Sequence, residues 1–194
     1  GSRSLRVQFR CSAVGFAKGV SGIAYAFARL AAVTGKQRYA EAARTELSLE
    51  PTPSSVTDND VLADSWSRGR CGIALSRIGI AEGLGDETVL DAADATLSTI
   101  ATTDPSPEET LCCGNFGRIE TLLVGSRRAG GDIETATELL GRCLAKHDRE
   151  NDTVQRKTVQ PITSPSFFWG GSGIAYTLLR IRYPDELPCV LLLE

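Results

Sequence analysis

A four-residue signature, glycine–x–x–glycine, occurs four times in this sequence, each time at the head of an apolar run. The copies are Gly19-Val20-Ser21-Gly22-Ile23-Ala24-Tyr25, Gly69-Arg70-Cys71-Gly72-Ile73-Ala74-Leu75, Gly114-Asn115-Phe116-Gly117-Arg118-Ile119-Glu120 and Gly170-Gly171-Ser172-Gly173-Ile174-Ala175-Tyr176. The leading glycines, at 19, 69, 114 and 170, are nearly evenly spaced. One such signature says little. Four at a near-regular period mark stacked supersecondary units, each too small to bury its own apolar face.

Each unit predicts two helices. Val20 to Ala32 is apolar almost all round, which predicts a buried inner helix, and Thr34-Gly35 ends it. Lys36 to Leu49 is amphipathic, with Arg38, Glu41 and Arg44 outward and Tyr39, Ala42, Ala43 and Leu47 inward. Pro51 to Ser55 breaks the chain. The second unit predicts helices over Cys71–Glu82 and Asp86–Ala101, with acidic Asp86 and Glu87 at the positive end of a helix dipole. The third predicts Phe116–Ala129 and Ile133–Lys146, followed by a polar stretch from His147 to Thr158. The fourth predicts Ser172–Arg182, stopped by Pro184. A short apolar tail, Cys189 to Glu194, ends the chain. Strand patterns are nearly absent. The fold class is therefore all-α, built from helical hairpins that curve into an open solenoid or a closed toroid. Glycine turns enter each inner helix, in conformations expected to strain other residues. In a ring, those turns would converge on one rim.

The chain has 194 residues and a net charge of -3, with nothing that reads as a nucleic-acid footprint. No apolar run approaches the ~18 residues of a spanning helix, and no secretory signal is visible, so a cytoplasmic setting without membrane or nucleic-acid partners is expected. The sequence contains no methionine and opens Gly1-Ser2. Residues 1–2 read as a cloning remnant and residues 3–194 as a single helical domain, about half of a full toroid.

Six cysteines (Cys11, Cys71, Cys112, Cys113, Cys143 and Cys189) in an Ala/Leu-rich chain of this length point to metal binding or burial rather than a disulfide framework. The adjacent pair Cys112-Cys113 stands immediately before a glycine turn and a helical run containing Phe116, Ile119, Leu122 and Leu123. Thiols at the mouth of a helix meet backbone N–H groups and the positive dipole end, which favours thiolates suited to a soft metal such as zinc. The other reading is two small buried hydrophobes.

The stretches Gly15-Phe16-Ala17-Lys18-Gly19-Val20-Ser21-Gly22-Ile23-Ala24, Trp66-Ser67-Arg68-Gly69-Arg70-Cys71-Gly72-Ile73, Cys112-Cys113-Gly114-Asn115-Phe116-Gly117-Arg118-Ile119-Glu120 and Phe167 to Leu179, with the ending Leu187 to Glu194, resemble the lanthionine synthetase C-like (LanC-like) cyclase domain. The likeness is closest to the C-terminal half of the class II, LanM-type synthetases. That resemblance implies an α/α toroid with central zinc. The implied chemistry is thioether ring formation, in which a peptide Cys thiol adds to dehydroalanine or dehydrobutyrine in a ribosomal precursor peptide. It also implies a homo-oligomer, a complementing half-domain or a partner enzyme, because half a toroid would expose an apolar face.

The motifs depart from the family pattern in two places. Ser67 stands where a zinc-ligating Cys is usual, and Lys18 stands where a His is usual. Cys112 and Cys113 occupy the positions of the other two ligands, and Cys71, four residues past Ser67, is a candidate third thiolate. Lys18, a catalytic candidate, could serve as acid or base, or its charge could stand in for a missing cation. These replacements also suit a non-catalytic relative that grips a precursor peptide or scaffolds a modifying enzyme. Three further groups are read as background. His147, the only histidine, fits a solvated helix end. Trp66 and Trp169 should pack their turns. Arg68, Arg70 and Arg118 could meet an acidic leader peptide but fit ordinary surface charge better. Asp58-Asn59-Asp60 is expected in a loop, with Asp64 polarising a neighbour.

Overall fold

The computed structural model describes residues 15–50, 62–128, 133–152 and 164–193. Within them lie α1 (Val20–Thr34), α2 (Gln37–Ser48), α3 (Arg70–Leu84), α4 (Leu90–Thr102), α5 (Asn115–Arg128), α6 (Glu134–Asp152) and α7 (Gly171–Arg182). Short 3-10 turns cover Glu87–Val89 and Val190–Leu192, and no strand occurs among the described residues. The inner helices α1, α3, α5 and α7 pack in chain order, each on the next. The outer helices α2, α4 and α6 cover α1, α3 and α5. This is an arc of an α/α toroid.

The second glycine of each signature explains how the arc is built. A Cβ on Gly22, Gly72, Gly117 or Gly173 would collide with the carbonyl oxygen of Phe16, Trp66, Leu111 or Phe167 respectively. The same carbonyl, three residues before the leading glycine, lies against the same helical position in all four units. The leading glycines do not carry the strain anticipated from the sequence. Gly19, Gly69 and Gly170 have φ of -123°, -123° and -154°, which is extended backbone open to any residue. Glycine is required there by space: a side chain on Gly69 or Gly170 would meet the backbone of residues 62–65 or 164–166. Left-handed glycine does appear where α1 and α3 end. Gly35 and Gly85 both have φ 63°, and their N–H groups bond the Ala31 and Ala81 carbonyls.

The entry loops are joined into one directional ladder. Phe16 N–H donates to the Trp66 carbonyl (3.1 Å), Trp66 N–H to the Cys112 carbonyl (2.9 Å), and Cys112 N–H to the Phe168 carbonyl (2.9 Å). The four glycine-led ends thus share one rim. Ring stacking reinforces it. Tyr25, Phe16, Trp66, Phe168, Phe167 and Tyr176 follow one another at centroid separations of 5.0, 5.4, 5.3, 5.7 and 5.4 Å. Each such pair adds about 0.5–1.5 kcal/mol beyond its area.

The C-terminal tail plugs the concave side. Leu191 and Leu192 are buried in the same cluster as Tyr25, Trp66 and Leu75. Tyr25 Oη donates to the Leu192 carbonyl (2.5 Å) and Trp66 Nε1 to the Leu191 carbonyl (3.1 Å). Part of the apolar face expected to be open is therefore filled by the chain itself. Leu30 and Val33 of α1 are exposed, so α1 is not buried all round. The apolar pattern does not by itself supply a neighbour for those residues.

The charged residues are also placed differently from the sequence reading. Arg118 is fully buried and donates to the carbonyls of Ile100 (2.9 Å), Thr103 (2.5 Å) and Asp104 (2.9 Å), closing the C-terminus of α4. Asp64 pairs with Arg70 (2.6 Å) and lies 3.7 Å from Arg118. Arg70 and Arg118 are therefore internal caps and ion pairs rather than surface charge. Glu120 and Arg180 form a buried pair (3.0 Å) between α5 and α7. α6 continues through His147 to Asp152, because nothing in that polar stretch breaks a helix before Pro161.

Close approach at the second glycine has a direct consequence. Gly72→Ala should cost about 2–4 kcal/mol, because a loop carbonyl must shift and strain the ladder. Gly141→Ala, on the open face of α6 with nothing within 4 Å, should instead stabilise by about 0.5–1 kcal/mol. Urea unfolding of the two variants beside the parent measures both.

Candidate functional site

All four entry loops contribute to one cleft of ≈ 370 Å³ on the rim. The first loop supplies Lys18, the second Trp66, Ser67 and Arg68, the third Cys112 and Cys113, and the fourth Phe168 and Trp169. The ladder explains this convergence: it holds residues from distant repeats side by side, at fixed offsets from their glycines.

The two sulfurs lie at the base of the cleft. Cys113 Sγ donates to Cys112 Sγ across 3.2 Å, and Ser67 Oγ lies 3.9 Å from Cys113 Sγ. The Cys112 thiol is pulled down to about 6, first because Cys113 donates a hydrogen bond to it. The Ser67 hydroxyl, the Lys18 charge and the Ser67 N–H act in the same direction, against burial. Cys113 is pushed up, because its loss of a proton would break that hydrogen bond and set a second anion beside the first. The pair thus gives up its first proton more readily than an ordinary thiol and holds its second more tightly.

Sequence and structure agree on part of the proposed donor set. Ser67, Cys112 and Cys113 are together. Cys71 is elsewhere: it is wholly buried in the other core cluster, with Ile119 and Cys143, and Thr121 of α5 is among the groups that act on its thiol. Its position one residue into α3 turns it toward α5 rather than the rim. Among the described residues, no group of three or more His, Cys, Asp or Glu side chains could hold a metal. The donors present are two thiols and one hydroxyl. Two sulfurs suit zinc, whereas a serine hydroxyl, protonated at neutral pH, is a weak third ligand.

Lys18 is exposed at the cleft mouth, and its charge reaches Cys112. Arg68 is likewise exposed and lines the same cleft, the one arginine of the expected group that does so. The two tryptophans part company. Trp66 is buried and packs its turn as expected. Trp169 is 61% exposed and forms an outer wall of the cleft, contrary to that expectation. His147 is exposed on α6. Asp58-Asn59-Asp60 and Cys11 lie outside the described residues. The aromatic row and the tail plug have no local sequence signal. Their members are scattered from Phe16 to Leu192 and share only their distance from a signature glycine or the chain end.

A toroid arc whose glycine-led loops carry a hydrogen-bonded dithiol on one rim defines a class of α/α helical-hairpin proteins with a central thiol site. The chain belongs to the lanthionine synthetase C-like protein family, whose profile matches residues 4–192. No curated protein matches it. No helix among the described residues is long and apolar enough to cross a membrane.

The asymmetry between the sulfurs can be read by titration. Below pH about 6 the pair is neutral, and above it is singly ionised. Alkylation by iodoacetamide should therefore rise through a midpoint near pH 6 and concentrate on Cys112. Cys71 and Cys189, raised to about 12, and Cys143, raised to about 11, stay protonated throughout that range. Lys18→Ala should move the midpoint up. Mass-spectrometric mapping of labelled peptides across pH checks both points.

Proposed function

We propose that the rim cleft takes part in thioether ring formation on a ribosomally made precursor peptide, in the manner of the cyclase domains of its family. The observation that carries this reading is the hydrogen-bonded Cys112–Cys113 pair in a cleft drawn from all four entry loops. Lys18 and Arg68 make the mouth cationic, which favours a substrate thiol in its thiolate form and an acidic peptide segment. Phe168 and Trp169 offer an aromatic wall for apolar side chains beside the reacting groups.

Cys112 and Cys113 are the residues that would hold zinc, with Ser67 in the third position. Zinc bound there lowers the pKa of a coordinated substrate thiol. Addition of the substrate thiolate to the β-carbon of a dehydroamino acid would leave a carbanion at the α-carbon, which must gain a proton. Among the described residues that line the cleft, Lys18 is a group that can deliver one, and it takes the proton back from solvent.

A second reading rests on Ser67. Its hydroxyl lies 3.9 Å from Cys113 Sγ and is a weak metal ligand, which suits a thiol pair kept without a cation. A chain of this kind could bind precursor peptide, or scaffold a modifying enzyme, and perform no addition.

The two readings separate in one experiment. The protein is incubated, with and without zinc, with a peptide bearing dehydroalanine and one cysteine. Ring closure does not change peptide mass, so it is scored as loss of alkylatable thiol. The cyclase reading expects zinc-dependent closure that is lost in Cys112→Ala and Cys113→Ala. Binding without closure supports the second reading. Zinc content gives an independent check: Ser67→Cys should tighten zinc binding by about 10–100-fold or more, and Cys112→Ala should abolish it.

A further inference from the structure

Side chains of adjacent residues point apart in helices and strands alike. Cys112 and Cys113 belong to neither element. They lie in the turn before α5, where both sulfurs face one another at 3.2 Å. Joining them into a bond of about 2 Å needs a closing movement of only about 1 Å.

The backbone around the pair is held on both sides. Cys112 N–H donates to the Phe168 carbonyl (2.9 Å), and the Cys112 carbonyl accepts from Trp66 N–H (2.9 Å). That carbonyl belongs to the peptide between the two cysteines, so a ring closed through the sulfurs would contain it. Adjacent Cα atoms also stand about 3.8 Å apart, closer than the roughly 4.4–6.8 Å a disulfide spans. A bond made here is therefore tight, and a tight disulfide is readily reduced.

The cleft suits such a pair in two further ways. Cys71, Cys143 and Cys189 are buried and line no part of it, and Ser67 brings a hydroxyl rather than a third thiol beside Cys113 (3.9 Å). Its mouth carries the exposed Lys18 and Arg68, which favour an oxidant bearing carboxylates.

We infer that Cys112 and Cys113 form a reversible dithiol–disulfide site, oxidised by a small anionic disulfide of the glutathione type. Cys112 Sγ, which accepts the hydrogen bond from Cys113, attacks the small disulfide, forming a mixed disulfide and releasing one thiol. Cys113 Sγ then attacks Cys112 Sγ, forming the bond between them and releasing the second thiol. Two electrons pass from the pair to the small disulfide, and the pair's two protons end on the two released thiols. Excess reduced thiol runs the same steps backward. In the oxidised form neither sulfur can act as a thiolate, so the redox state decides whether the pair can hold a soft cation. This chemistry stands on the geometry of the pair and requires neither reading of the cleft.

The test treats the folded protein with glutathione disulfide, quenches in acid, alkylates the remaining thiols and digests with trypsin. Cleavage after Arg77 and Arg118 releases residues 78–118, which contain Cys112 and Cys113 and no other cysteine. That peptide should become two hydrogens lighter and take up no alkylating agent, and excess reduced glutathione should restore both thiols. The folded chain should oxidise about 10-fold or more faster than the same chain in urea, because the fold already holds the sulfurs together. Cys113→Ser should stop at a mixed disulfide on Cys112, one glutathionyl group heavier. Cys113→Ala replaces it if circular dichroism shows that it does not fold. A peptide that stays a dithiol overturns the inference. So does a parent that stops at the mixed disulfide, a bridge to another cysteine or a second chain, a variant that takes up no glutathione, a product that reduced glutathione does not reverse, or a rate that urea leaves unchanged or raises.

Discussion

Everything in this molecule depends on how closely a loop carbonyl can approach the first turn of an inner helix. At Gly22, Gly72, Gly117 and Gly173 there is no side chain to keep the loop away. Each loop therefore folds over the mouth of its own helix, with its remaining backbone groups facing sideways. Sideways-facing N–H and C=O groups buried on a rim need partners, and the neighbouring loops provide them. The ladder from Phe16 to Phe168 is the result. The arc is thus held by backbone pairing at one end of the helices and by apolar packing along their length.

That arrangement also makes the chemistry of the rim. Residues one and two places before each leading glycine line a common cleft, so a substitution at one of those places changes the site. Ser67 and Lys18 are such places. Ser67 places a hydroxyl, 3.9 Å from Cys113 Sγ, beside the two sulfurs. The hydrogen bond between adjacent sulfurs, backed by the Ser67 hydroxyl and the Lys18 charge, holds the Cys112 thiol below the ordinary thiol range. Buried charge elsewhere is handled differently. Asp64, Arg70 and Arg118 neutralise one another and close a helix end, and Glu120 with Arg180 ties α5 to α7.

Much of this was legible in the residues. The glycine period specified the inner helices to within a residue or two, and the cysteine pair in front of the third glycine marked the rim. Three features were not legible, each for a physical reason. Cys71 is near Ser67 in sequence, but one residue inside a helix its side chain follows the helical rotation toward Thr121. Arg118 looks like surface charge in a one-dimensional pattern, yet the free carbonyls ending α4 lie fourteen to eighteen residues away and absorb it. The stretch after Lys146 is polar and carries no apolar period to mark a helix, yet α6 continues through it to Asp152.

Sequence alone determined the all-α repeat, the entry points of its inner helices and the presence of two adjacent sulfurs before one of them. These are local matters, set by where a side chain is absent and how apolar residues recur. Tertiary structure decided which side chains share the cleft, that Trp169 faces outward while Trp66 is buried, and that the tail returns to fill the concave side beneath Tyr25 and Trp66. Those outcomes depend on contacts between residues more than a hundred positions apart, and no local pattern encodes which of several apolar segments will reach a given gap first.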